Sequence, residues 1–159
     1  MIDIKSNIRK SVIDSLINAP LTYLGEDIPV NQDYLTDAPA IIPLGNTGGF
    51  EAYVIFQNQT VNNNSTKQCL NENSSFQLDV VTVFNANSGG SIHAENIGAS
   101  IMTILTPNGT PNTNLDASGM YVWKMRMLST RAITQETSTS RIFRNILIYD
   151  LSVNQYQGT

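Results

Sequence analysis

The sequence predicts an α+β domain: an antiparallel sheet of about four main strands, two helices packed on one face, and long hairpin arms. Three observations predict it. Apolar residues recur at helical spacing in two separate segments, 3–18 and 91–105. In four other segments they alternate with a period of two. Between these segments lie stretches rich in Asn, Ser, Thr, Gly and Pro, the residues of turns and loops. The 159 residues are read as a single domain, since a domain takes about 150 residues.

The first helix spans residues 3–18, with Ile4, Ile8, Val12, Ile13, Leu16 and Ile17 on its apolar face and Lys5, Arg9, Lys10 and Asp14 between them. Asn18-Ala19-Pro20 ends it, because proline pushes its predecessor out of the helical region and cannot continue the hydrogen-bond ladder. Residues 21–50 form an extended insertion punctuated by Pro and Gly, in which 27–30 and 40–44 suit edge strands. The strand 51–60 places Tyr53, Ile55 and Gln57 on one side and Val54 and Phe56 on the other, and 76–85 follows with Phe76, Leu78, Val80 and Phe84 in register. The Asn- and Ser-rich segment 61–75 between them is too polar to pack inside a domain and predicts a projecting arm.

After a break at 85–90, Ser91 is the expected N-cap of a helix carrying Ala94, Ile97, Gly98, Ile101, Ile104 and Leu105, which stops at Pro107. Residues 107–119 predict a mobile connection. Two long strands close the chain. In 120–131, Tyr121, Trp123, Met125 and Met127 share a face; in 141–153, Phe143, Leu147, Tyr149, Leu151 and Val153 oppose Ile142, Ile146 and Ile148. Residues 132–140 form a second polar arm.

Two helices leave too much of this sheet uncovered. Val81, Val83, Val122, Leu128, Ile142, Ile146 and Ile148, together with Met120, fall on the face opposite the helices. Each such side chain gains about 1.5–3 kcal/mol when fully buried, so the face calls for a cover. A neighbouring subunit is one candidate, and the insertion 21–50 folded over that face is the other. In the arms, Asn63, Lys67, Asn71, Thr134, Glu136 and Thr139 are candidate contacts with an adjacent subunit.

Composition narrows the function. Charged residues make up 14% of the chain, well below the roughly 25% of ordinary soluble proteins. The net charge of −4 excludes a grip on nucleic acid through wholesale phosphate neutralisation. One cysteine, Cys69, excludes an internal disulfide, and one histidine, His93, excludes the usual zinc ligand sets. No run approaches the 18 or so apolar residues of a membrane helix, so no membrane association is expected. The opening residues lack the pattern of a secretory signal, which predicts a protein made and kept in the cytosol. The Asn-X-Ser/Thr triplets at 58, 64, 73 and 108 then read as loop composition.

No catalytic set emerges. His93, Glu95 and Asp79 match no motif: His93 and Glu95 are two apart and face different sides of a helix, and a surface histidine at a helix start is the expected reading. Cys69 lies in the Asn-rich loop with only Lys67 nearby. Neither Gly48-Gly49 nor Gly89-Gly90 is followed by the Lys-Ser/Thr pair of a phosphate loop. No enzyme and no cofactor is expected. Lys124, Arg126, Arg131, Arg141 and Arg144 hold more than half of the nine positive charges and are candidates for a channel lining, for contact with an acidic partner, or for ordinary cross-strand pairs.

The order of elements resembles the tail completion or tail terminator family of tailed bacteriophages. The resemblance rests on the helix ending near Pro20, the extended Pro39-Ala40-Ile41-Ile42-Pro43, the strand Phe76-Gln77-Leu78-Asp79-Val80-Val81-Thr82-Val83-Phe84, the helix 91–105, and the closing strands 121–131 and 140–156. The long insertion before Phe50 and the loop 61–75 depart from the family pattern. The resemblance implies a virion protein without enzymatic activity, assembled in the host cytoplasm. It would form a homo-oligomeric ring, a hexamer or dodecamer, at the head–tail junction, touching portal, neck or tail proteins and letting genomic DNA pass. A head-side adaptor or other minor subunit of a short-tailed phage is the alternative, and a small enzyme the third.

Overall fold

A computed structural model describes residues 3–33, 37–45, 48–65, 71–116 and 119–155. The chain runs through α1 (Ile4–Asn18), β1 (Thr22–Tyr23), β2 (Glu26–Asp27), β3 (Val30–Gln32), β4 (Ala40–Pro43), β5 (Gly49–Asn63), β6 (Asn71–Asn85), α2 (Ile92–Leu105), β7 (Met120–Glu136) and β8 (Ser140–Gln155). The main sheet has the order β3-β5-β6-β8-β7, with β4 also on β5. Four long antiparallel strands form its body, as the alternation predicts. The short β3 pairs parallel to β5, which makes the sheet mixed.

Both helices lie on one face. Asp3 caps α1 by accepting from the Ser6 amide at 3.1 Å, and Ile4, Ile8, Val12 and Leu16 are buried beneath the helix. Ile17 is 54% exposed, since it sits about 100° around the helix from Leu16 and off the apolar stripe. In α2, Ala94, Ile97, Gly98, Ile101 and Leu105 are buried. Gly98 lets α2 approach β8 closely: a Cβ there would stand 2.7 Å from Asn145 Nδ2 and 3.4 Å from Leu147 Cδ2. Ser91 occupies the N-cap position but its side chain makes no capping bond, and only its carbonyl accepts, from Glu95 N at 3.1 Å.

The sheet contributes Phe50, Ala52, Val54 and Phe56 from β5, Phe76, Leu78, Val80 and Phe84 from β6, and Phe143, Leu147, Tyr149, Leu151 and Val153 from β8 to the same core. The stacked rings of Phe56, Phe76 and Tyr149 run across three strands, with centroids 4.9 and 5.4 Å apart. The insertion does not cover the opposite face. β3 and β4 border β5, and Leu21, Ile28, Val30 and Ile42 join the helix-side core.

Among the described residues, two expected loops are largely sheet. Val61 to Asn63 continue β5 and pair with Ser74, Asn73 and Glu72, while β7 runs to Glu136 opposite Arg141. Alternating Asn, Ser and Thr hide a strand from hydropathy, yet their amides complete the ladder. Ser74 is buried and donates through Oγ to Thr60 O at 2.8 Å. The connection after α2 is also fastened: 3₁₀ turns at Pro107–Gly109 and Thr113–Leu115 flank Asn112, whose Nδ2 donates to Ile104 O at 2.8 Å, and Leu115 is buried.

Candidate subunit-contact surface

The face of the sheet away from the helices carries Tyr53 and Ile55 from β5, Val81 and Val83 from β6, Ile142, Ile146 and Ile148 from β8, and Ile133 from β7. Val81 and Ile146, 4% and 9% exposed, are buried without belonging to the helix-side core, so this face packs a thin apolar layer of its own. Val83, Ile133, Ile142 and Ile148 are half-buried at its surface.

Asp79 lies in the middle of this layer. Its carboxylate accepts from Arg144 Nε at 3.0 Å and from Arg144 Nη2, with Gln57 Nε2 at 3.5 Å. The Asp79 side chain is 4% exposed and that of Arg144 26%, so the guanidinium caps a carboxylate taken almost wholly out of water. The hydrogen bond to Asp79 raises the Arg144 pKa, and burial together with the charge of Asp79 raises that of Tyr53. The register explains the pair: Asp79 faces Ile146 and Arg144 faces Val81, a diagonal on one face that a long guanidinium spans. One signal for it stands in the sequence, an aspartate inside an apolar strand.

The face predicted for β7 is corrected by two β-bulges. The register slips between Val122 and Lys124 and again between Met127 and Ser129, leaving Trp123 and Leu128 as extra residues. Each extra residue inverts the alternation after it. Met120 and Val122 therefore lie in the helix-side core, Val122 at 6% exposure, rather than on the outer face. Met125 is buried with them, whereas Tyr121 and Trp123 are exposed and Leu128 is 50% exposed.

The five basic residues do not form one stripe. Arg144 holds Asp79, Arg126 lies 3.7 Å from Asp150, and Arg141 sits 2.7 Å from Glu136 with its guanidinium 5.4 Å above the Phe143 ring. Lys124 and Arg131 are exposed on β7 and make no ion pair among the described residues. Arg141 shares the helix-side face by its register opposite Phe84, so cross-strand pairing accounts for three of the five. Of the arm residues, Asn63 faces Glu72, Asn71 faces Asn154, Thr134 faces Phe143 and Glu136 faces Arg141. Thr139, in the β7–β8 turn, accepts from Ala86 N at 3.2 Å. Lys67 and Cys69 lie outside the described residues.

His93 is half-buried, which corrects the surface placement. Its Nδ1 is 2.8 Å from Tyr23 Oη, and its ring packs against Phe50 at 4.7 Å and Phe84 at 5.7 Å. Burial lowers its pKa. Asp79 is on the other face of the sheet and Glu95 is exposed, so the three do not meet. No group of three metal-ligating side chains occurs among the described residues.

No family model matches the chain, and neither does any curated protein. Among solved structures, it resembles a chain of the virion of a native gene transfer agent particle, with a TM-score of 0.56 and 15% identity over 95% of this chain and 94% of the other. The likeness is one of fold. It spans nearly all of each chain rather than one motif.

Proposed function

We propose that the chain is a structural subunit of a phage-like virion and forms a ring at the head–tail junction, joining assemblies and leaving a passage for DNA. The observation that carries this reading is the end-to-end likeness to a virion chain. The outer sheet face supports it: a half-buried apolar layer is the surface that a neighbouring virion subunit covers. The role is structural, with no chemistry assigned to His93, Asp79 or Glu95. A ring of subunits each carrying −4, with three of its five candidate arginines and lysines already paired to carboxylates, holds a passing duplex weakly.

Electron microscopy of purified particles tests the position. The expected result is density for this fold, repeated around the axis, between the capsid portal and the tail, with unjoined heads and tails when the protein is removed. Particles that assemble and inject DNA without it, or density for it elsewhere in the virion, would overturn the placement.

A further inference from the structure

We propose that the chain binds a second copy of itself head to tail, with the Trp123 indole on the β7 edge of one copy entering an acidic groove beside the β3–β4 edge of the next. This deepens the ring reading and rests on it. The sheet ends in two unlike edges. On one side β7, 17 residues long, has β8 as its one strand neighbour among the described residues, and Asp116 Oδ1 accepts from Val122 N at 2.9 Å near its start; on the other, β3 and β4 tile the edge of β5. Four strand spacings separate β3 from β7, roughly 19 Å at about 4.8 Å each. A contact between two different surfaces is heterologous, and it closes into a ring when the rotation per subunit divides a full turn.

The edges carry opposite charge. Residues 21–51 contain Glu26, Asp27, Asp33, Asp37 and Glu51 and no lysine or arginine, whereas β7 carries Lys124 and Arg131, which make no ion pair among the described residues, with Arg126 beside Asp150, Glu136 beside Arg141, and Asp116 at the start of the edge. One edge also carries an exposed aromatic and the other lies beside a groove. Trp123, the sole tryptophan, is the extra residue of the first bulge and 47% exposed, beside Lys124. Next to the acidic edge, a groove of about 310 Å³ is lined by Ile17, Leu21, Pro29 and Ala40 together with Asp27 and Asp37, and Ile17 is 54% exposed in it. An aromatic anchor in an apolar pocket concentrates binding energy, and the charges around it set orientation and encounter rate.

Because tryptophan occurs once, its emission reports the contact directly. Emission of the wild-type chain should shift to the blue as light scattering shows it assembling. Lys124→Glu/Arg131→Glu and Asp27→Lys/Asp37→Lys, all at exposed positions, should each associate at least tenfold more weakly while keeping the wild-type melting curve. Mixing the two should restore assembly, since each then presents the complement of the other. Unchanged Trp123 emission in the assembled wild type, charge-reversed variants that assemble alone, or a mixture that does not assemble would overturn this contact and leave the ring standing. A wild-type chain that stays monomeric at high concentration and with neck and tail proteins present would overturn both. Were one reversal to unfold the chain, Trp123→Ala and the emission shift would still decide.

Discussion

Removing the Arg144 guanidinium would leave the Asp79 carboxylate charged and almost out of water. Breaking a buried pair in this way costs about 3–5 kcal/mol, and Arg144 is a quarter exposed, so Arg144→Met should cost about 3 kcal/mol in urea unfolding. The double variant Asp79→Leu/Arg144→Met removes both charges and should recover most of that loss. A single variant as stable as wild type would mean that water reaches the carboxylate. His93 supports a second test. Burial lowers its native pKa, so the unfolded chain binds the proton more readily. This contribution to stability is complete above the unfolded value of about 6.5, falls as the pH drops below it, and levels off beneath the native pKa. His93→Phe should flatten the Tm profile between neutral and mildly acidic pH relative to wild type, and parallel profiles would refute the coupling.

At the scale of elements, α2 and β8 meet where no side chain intervenes, at Gly98. In Gly98→Ala the gain in helix propensity of about 1 kcal/mol offsets the displacement of Asn145. Gly98→Val should instead lower stability by about 1–3 kcal/mol through overpacking, measured by thermal melting. Hydrogen exchange provides a further check. β6 and β8 are each bonded on both sides, β6 by β5 and β8 and β8 by β6 and β7, and should be the best protected strands, whereas alternate amides of β7 face the sheet edge and should exchange faster. The helices and the cores of β5, β6 and β8 were legible because hydrophobic periodicity follows directly from which side faces the core. The polar strand ends were not, because Asn62, Asn73 and Thr134 pair through backbone groups that every residue carries. Nor were the bulges at Trp123 and Leu128, where one uncounted residue exchanges the two faces and moves Val122 from the outer surface into the core.

For the whole molecule, the outer face and the helix-side core answer differently to the same substitution. Ile148 is half-buried on the outer face, so Ile148→Asp should leave a folded monomer whose Tm moves by a few degrees, while incorporation into particles falls sharply. Leu147→Asp, 1% exposed and facing the helices, should abolish folding. Equal effects of the two would mean that Ile148 is an ordinary core residue. The surplus apolar face was readable from alternation alone, since Val81, Val83, Ile142, Ile146 and Ile148 stand where period two puts them. The ion pair at its centre was not, because the cross-strand diagonal depends on register, which a single strand does not encode.

The central seam between β6 and β8 also sets how quickly the chain can reach this structure. β5 with β6, and β7 with β8, are hairpins of near neighbours, whereas Gln155 and Glu72, bonded across the seam at 3.0 Å, are 83 positions apart. The hairpins can close in microseconds, while joining them requires a long loop to be ordered before any contact compensates. Docking of the two preformed halves is then the rate-limiting event. A substitution at Thr82, fully buried in the seam and donating through Oγ1 to Phe143 O at 3.1 Å, should slow refolding, and one that weakens the Thr137 turn should slow it as well, because the hairpin is already made when the halves dock.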